Sequence, residues 1–426
     1  MIKVGLLGLG TVGTGVVRIV EGHQEDLLRQ TGSPISIERI LVQDRAKMRT
    51  VSVDPTKLTE HAYDIIDDPG INVVIEVMGG IEPAKTYILA ALEKGKHIVT
   101  ANKDLMAMHG AEILAKAAEK GCDVFYEASV AGGIPIIRTL VEGFSSDRIT
   151  KIMGIVNGTT NYILTKMSQE GAAYGEVLKE AQALGYAEAD PTSDVEGLDA
   201  ARKMTILATL GFHAQVSLQD VEVKGISQIT KEDILYGSRL GYTVKLLGIA
   251  ERQDDHISVS VQPTMVKHSH PLASVNGVFN AVYVYGEAVG ETMFYGPGAG
   301  ELPTATSVVA DLVAVVRNLK LGVNGRETFV PYKEKKLKSD EQIASKNFIL
   351  LHVEDKAGVL AQITQIFAQY EVSLESVLQH PNPNNPKAEI IIITHDANRA
   401  SMKKVLKQFE SMDVIHAIKS VYRVEG

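Results

Sequence analysis

The sequence predicts an α/β chain of three domains: a doubly wound parallel sheet first, an open α+β sheet in the middle, and a ferredoxin-like unit at the end. Three observations carry that reading. Residues 2–7, IKVGLL, run straight into Gly8-Leu9-Gly10-Thr11-Val12-Gly13 and an apolar helix. Strand-like stretches recur through the middle at 149–156, 218–223, 243–250, 257–261 and 280–285, with helical segments beside them. Residues 347–426 read strand, helix, strand, strand, helix, strand, the β-α-β-β-α-β order.

A chain of 426 residues is too long for one core. The expected division is 1–130 with about 303–323, then 131–302, a polar linker over 324–346, and 347–426. A net charge of −9 argues against nucleic acid or an anionic membrane as the main partner. The single cysteine, Cys122, excludes an internal disulfide framework and suits a reducing cytoplasm. No apolar run reads as approaching the roughly 20 residues that cross a bilayer, and MIKVGLLGLG lacks the flanks of a signal peptide.

In the first domain the strand–turn–helix context gives each glycine a task. Gly8 permits the tight turn, Gly10 lets a pyrophosphate approach the backbone, and Gly13 lets helix and strand pack closely. The helix that follows offers amide donors and a positive dipole end. The pattern is expected to form a Rossmann-type dinucleotide site, the alternative being a structural glycine turn. After the second strand, 35–42, Asp44 could accept from a ribose hydroxyl, whereas Arg45, with Lys47 and Arg49, could neutralise a 2′-phosphate. Three cations against one acid favour NADP, and NAD stays open. The α/β alternation continues through 73–79, 83–94, 97–103, 110–120 and 123–129. Lys103 falls at the expected carboxyl end of a strand, where such sheets bind ligands, or is simply a solvated strand-end charge.

The middle domain holds the densest chemistry. Within GYAEADPTSDVEGLDAARK (185–203), five acids occupy twelve positions: Glu188, Asp190, Asp194, Glu196 and Asp199. Gly185, Pro191 and Gly197 shape a loop, and the helix from Leu198 places Asp199 and Lys203 four residues apart on one face. An acid-lined loop leading to a helical lysine suits a small substrate with an ammonium group and a second group that exchanges a proton. The alternative is a solvated loop and a surface ion pair. Glu127 and the turn after it could offer a carboxylate and carbonyls to a hard cation, or merely start the helix expected over 134–144. His268 and His270 resemble a metal pair, but no acid or third His lies beside them in sequence and a loop position is expected. The second glycine-rich run, 295–300, leads into a helix over 304–319 that could return to the first domain.

Taken together, GLGTVGTG, TANK, EASVAGGIPII, NGTTNYIL and GYAEADPTSDVEGLDAARK resemble the homoserine dehydrogenases of the long bacterial type, and D-x-x-G-x-L at Asp355, Gly358 and Leu360 resembles an ACT domain. The resemblance implies Lys203 as proton donor, Glu188 and Asp199 as substrate-binding acids, and Asp194, Tyr186 and Thr159 as their neighbours. It implies Lys103 at the junction of cofactor and substrate, and cofactor contacts at Thr11, Val12, Arg45 and Gly300. It also implies a monovalent cation site, usually sodium, at Glu127, Val130, Gly132 and Ile134. An amino-acid effector, threonine in related proteins, is expected at the ACT domain, with the loop 380–387 as a point of departure, and a homodimer or homotetramer is expected.

Two other classes predict different behaviour. A non-catalytic amino-acid sensor would bind ligands without turnover, and would have no use for a proton donor at the hydride site. An aspartate-semialdehyde dehydrogenase would need a cysteine nucleophile with a nearby base, a setting that Cys122 lacks.

Overall fold

The computed structural model describes residues 1–325, 329–381 and 387–426, which form two compact units. The first takes residues 1–156, 201–219 and 279–334. Its main sheet has six parallel strands in the order β3-β2-β1-β4-β5-β6: β1 Ile2–Leu7, β2 Ile35–Leu41, β3 Leu58–Thr59, β4 Val73–Glu76, β5 His97–Thr100 and β6 Val124–Phe125. The order reverses between β1 and β4, and the carboxyl ends at such a switch point are where doubly wound sheets take ligands. Buried Val4, Leu6, Val73 and Ile75 on the strands meet Val16 and Val20 of the helix Thr11–Gly22. The helix Glu301–Leu321 adds Val308, Leu312 and Val316 to the same core. Gly15 allows that packing, since a Cβ there would lie 2.5 Å from the Glu301 carbonyl oxygen. By length and composition this 21-residue helix could cross a bilayer, contrary to the sequence expectation, but its apolar residues are spent on the core. The unit also carries an antiparallel trio, Ile149–Ile155, Phe279–Gly286 and Gly290–Pro297.

The second unit takes residues 157–200, 220–278 and 335–426. Its strands Tyr242–Gln253 and His256–Lys267 form a long antiparallel hairpin. Its C-terminal part shows the β-α-β-β-α-β order: Ala344–Glu354, Val359–Gln369, Leu374–Pro381, Lys387–Thr394, Arg399–Glu410 and Ile415–Glu425. Phe367 and Phe409 from its two helices meet edge to face beneath Ile349, Leu351 and Ile390. The last strand pairs antiparallel with Ala344–Glu354 and, through Thr264–Arg423, parallel with the hairpin. Asp233 reinforces that join by accepting from the hydroxyls of Ser420 and Tyr422.

Several elements differ from the sequence reading. The helix expected over 134–144 is shorter, 137–143, and widens over Thr139–Gly143, where the Phe144 N–H reaches back five residues to Thr139. The strand expected over 123–129 stops at Phe125, because Glu127–Ser129 turns at once. The supposed linker contains the strand Lys336–Leu337, paired with His256–Ile257, and the start of Ala344–Glu354. The helix Lys231–Arg239 was missed although Thr230 and Asp233 form a capping box, and Gly290–Pro297 is a strand where only a loop was read. Most of the 380–387 loop, residues 382–386, lies outside the described residues.

Candidate active site

At the end of β1, Gly8 adopts φ +107°, and a Cβ on Gly13 would sit 2.2 Å from the Gly8 carbonyl oxygen. A Cβ on Gly10, by contrast, would meet nothing within 4 Å. The turn is therefore closed on its protein side and open where the helix Thr11–Gly22 begins. That helix has no side-chain cap, so the amides around Thr11, Val12 and Gly13 face an incoming group. The observation fits a dinucleotide pyrophosphate, with backbone donors as the main holding groups. Beyond β2, Asp44 accepts from the Ala46 N–H, while Arg45 is exposed and donates to the Pro55 carbonyl. Arg49 donates to the carbonyls of Asp44 and Lys47, which folds the basic loop onto itself.

Lys103 is not the end of a strand. β5 stops at Thr100, the Asn102 side chain accepts from the Leu105 N–H, and Lys103 is the first residue of the helix Lys103–Lys120. The residue types Ser, Thr, Asp and Asn before a helical run are the signal that places this cap, and TANK contains one. Asn102 also donates to the Gly80 carbonyl at 2.6 Å, so the two loops at the carboxyl ends of β4 and β5 are tied together.

In the turn after β6, Ala131 and Gly132 adopt positive φ, 55° and 48°. A Cβ on Gly132 would lie 2.4 Å from the Gly298 carbonyl oxygen, and the Gly133 N–H donates to Pro297, so this turn packs on the second glycine-rich loop. Gly300, at φ +128°, opens the helix Glu301–Leu321 without a side-chain cap. The Glu127 carboxylate accepts from the N–H groups of Ile137 and Arg138 and is spent on them. The carboxylate that the sequence reading offered to a hard cation thus already accepts from two backbone N–H groups. Among the described residues no cluster of three or more His, Cys, Asp or Glu side chains suits a metal. His270 instead accepts from the Leu272 N–H as a cap.

Asp311 holds this turn from behind. It is buried and accepts from the Glu127 N–H at 2.8 Å and from the Arg138 guanidinium at 3.0 Å. Burial pushes the carboxyl groups of Glu127 and Asp311 upward, and the neighbouring Glu127 carboxylate adds to the rise of Asp311.

The helix Leu198–Phe212 carries both Asp199 and Lys203. Lys203 is half-buried, and its ammonium donates to the Val156 carbonyl at 2.7 Å. The next residue, Asn157, was quoted in the sequence but not singled out. Its side-chain amide donates to Asp194 at 2.7 Å and to Asp199 at 2.9 Å, while its oxygen caps the following helix by accepting from the Thr160 N–H. Asp199 is 4% exposed, a carboxylate held in the protein rather than on a solvated face. The surface-pair alternative does not fit that burial.

Thr159 donates to the Tyr186 carbonyl at 2.6 Å, and Tyr186 leans on Tyr162 with ring centroids 4.9 Å apart. Glu188 is exposed, and its carbonyl takes the Gln182 amide. Thus Thr159, Tyr186, Asp194 and Asp199 are joined through the two ends of the Asn157–Tyr162 segment, with Glu188 on the open side. One turn further along, Asn161 meets Lys245, which is 1% exposed and donates to Asn161, Asn276 and the Val275 carbonyl. Burial pushes the Lys245 ammonium down to about 8. Cys122 is buried and its thiol is pushed up to about 11, no setting for a nucleophile.

Comparison with known proteins gives the chemistry its family. Residues 8–127 match the model "Homoserine dehydrogenase, NAD binding domain", residues 135–313 match "Homoserine dehydrogenase", and residues 348–413 match "ACT domain". The homoserine dehydrogenase of Bacillus subtilis is 59% identical over 426 residues, which is 100% of this chain and 98% of that one. The crystal structure of a homoserine dehydrogenase from Thiobacillus denitrificans superposes with a TM-score of 0.92 at 40% identity, covering 100% of this chain and 98% of the other. A hyperthermophilic archaeal homoserine dehydrogenase in complex with NADPH has a TM-score of 0.62 at 26% identity, over 75% of this chain and 98% of that chain. The open glycine turn and the helix bearing Asp199 and Lys203 thus occur in a chain that belongs to the homoserine dehydrogenase family, NAD(P)-dependent oxidoreductases that act on a CH–OH group in amino-acid biosynthesis.

Proposed function

We propose that Lys203 is the proton donor in the reaction of this family, the reversible NAD(P)H-dependent reduction of L-aspartate 4-semialdehyde to L-homoserine. The nicotinamide supplies the hydride, and the chain supplies position and charge. An aldehyde oxygen that becomes an alkoxide needs a proton, and the Lys203 ammonium, braced by the Val156 carbonyl, can stabilise and then protonate it. Asp199, on the same helix and held by Asn157, binds the hydroxyl end or orients the lysine. Glu188 on the open side binds the substrate ammonium, a charge-assisted contact that favours an amino alcohol over a plain one. Asp194, Tyr186 and Thr159 shape this segment, and Lys103 stands where substrate and cofactor meet.

Gly8, Gly10, Thr11, Val12 and Gly13 hold the cofactor's phosphates, with Gly300 as a further contact. Arg45, supported by Lys47 and Arg49, favours NADP over NAD, in keeping with NADPH in the archaeal relative. The carbonyls of Glu127, Val130, Gly132 and Ile134 hold a monovalent cation, sodium by preference. The ACT domain takes an amino-acid effector, threonine in the first instance. The enzyme works in the cytoplasm as a homodimer or homotetramer, with no role for nucleic acid or membrane.

The observation that carries this reading is the helix that bears a buried, amide-held Asp199 and, one turn on, a braced ammonium. The test is the loss of NADPH absorbance on adding aspartate semialdehyde, repeated with NADH and with threonine. A purified chain that shows no aldehyde-dependent oxidation of either cofactor would overturn it.

A further inference from the structure

Glu76 ends β4 with a carboxylate that is 0% exposed, and the mechanism above makes no use of it. Its partners are neutral donors: the N–H groups of Met78 at 2.8 Å and Gly79 at 3.2 Å on one oxygen, and the Thr100 hydroxyl at 2.6 Å on the other. Burial pushes this carboxyl up, and the Thr100, Met78, Gly79 and Asn102 donors offset only part of that. A buried carboxylate with no cation beside it among the described residues is costly to keep, and an apolar residue would close the strand at lower cost.

The hydrogen bonds show what the carboxylate organises. The Thr100 hydroxyl oxygen accepts from the Asn102 N–H at 3.0 Å. Asn102 in turn holds the Gly80 carbonyl and caps the helix that begins at Lys103. The loop after β4 lies against the glycine turn: a Cβ on Gly8 would be 3.0 Å from the Val77 carbonyl oxygen and 3.3 Å from the Met78 Cα. One carboxylate therefore joins the glycine turn, the loop Val77–Gly80 and the residue before Lys103.

We infer that Glu76 is a positioning residue for the NAD(P) cleft, fixing the Val77–Gly80 loop as its wall and setting Lys103 against that wall. The inference rests on the reading of the glycine turn as the dinucleotide site. Glu76→Gln keeps the shape but has one accepting oxygen. With its Oε1 on the Met78 and Gly79 amides, its NH2 can meet Thr100 only as a donor, so the Thr100 hydroxyl loses the acceptor for its own proton.

The experiment is a titration of NADPH fluorescence on wild type and Glu76→Gln, with Tm and the two KM values measured beside it. The expected result is an NADPH dissociation constant raised about 10- to 100-fold, the range of a lost hydrogen bond to a charged group. KM for NADPH should rise in step while KM for the semialdehyde moves less than about twofold, a split that a general loss of stability would not give. Binding within about twofold of wild type would overturn the inference, whatever happens to Tm. If Glu76→Gln does not fold, Thr100→Val and Thr100→Ser decide. Serine keeps the hydroxyl and should bind NADPH like wild type, valine should not, and equal binding by the two overturns the inference. Failure of wild type itself to bind NADPH would instead sink the dinucleotide reading.

Discussion

The glycine turn after β1 and the acidic segment 185–199, the two binding sites proposed above, are built in opposite ways. The turn works by removing side chains: Gly13 closes on the Gly8 carbonyl and Gly10 stays open, which leaves backbone amides as the donors on offer. The acidic segment works by adding them, and a carboxylate placed inside a protein must itself be held. Asn157 performs that task for Asp194 and Asp199, while Glu188 stays in solvent. A backbone site is robust to the loss of any one side chain but not to the gain of a Cβ. A side-chain site behaves the other way round.

The largest effect expected is on the side-chain site. Lys203→Ala should lower kcat by about 10²- to 10⁴-fold, the usual worth of general acid catalysis, and leave the NADPH dissociation constant nearly unchanged. Steady-state kinetics with a binding titration checks this, and a variant keeping more than half of wild-type kcat would remove Lys203 from the chemistry. Next comes the contrast between the two acids. Asp199→Asn turns an amide toward the Asn157 amide and should cost about 1.5–3 kcal/mol in kcat/KM, whereas Glu188→Gln, on the open side, should mainly raise KM for the semialdehyde, by less.

The backbone site is broken by adding a methyl. Gly13→Ala places a Cβ against the Gly8 carbonyl and should lose about 1–3 kcal/mol of stability together with NADPH affinity. Gly10→Ala should keep its Tm, because its Cβ meets no protein atom, yet bind NADPH weakly. If Gly10→Ala bound NADPH as well as wild type, the pyrophosphate would not lie over that glycine. A smaller effect is expected at the far end of the cofactor, where Arg45→Ala should lower the ratio of kcat/KM for NADP against NAD by about tenfold. An unchanged ratio would refute the 2′-phosphate role.

The smallest effect is a pH dependence of stability that belongs to Lys245. Its folded pKa of about 8 lies below the ordinary value of 10.5, so between them the unfolded chain binds more protons than the folded one. Stability from this group must then rise with pH, by about 1 kcal/mol between roughly pH 7.5 and 9. Urea midpoints of wild type and Lys245→Met over that range provide the check. The difference between the two should shift in favour of wild type as pH rises, and a flat difference would mean the ammonium is not desolvated.

These contrasts also separate what could be read early from what could not. The glycine turn was legible because spacing alone fixes a strand–turn–helix backbone, and Gly8, Gly10 and Gly13 lie where the spacing requires. The helix with Asp199 and Lys203 was legible by its i,i+4 spacing. The burial of Asp199 was not, because its partner Asn157 is 42 residues away. Glu76 was passed over for the same reason: as the acid closing VVIE it looks like a strand-end charge, and the Thr100 hydroxyl with the Met78 and Gly79 amides gives it a task. Lys103 was placed one element too early because the strand and the Asn102 cap abut.

Sequence by itself determined the local devices: the glycine turn, the caps, the alternation of strands and helices, and the β-α-β-β-α-β order of the last domain. Each of these depends on interactions within a few residues, so composition and spacing suffice. Only the tertiary structure decided which charges are spent internally and which remain for a ligand. The Glu127 carboxylate went to two backbone amides, Asp199 to an asparagine, and Lys245 to carbonyls far along the chain. Those assignments follow from burial, which removes water and forces every charge to find a partner, and burial is a property of packed elements rather than of neighbouring residues.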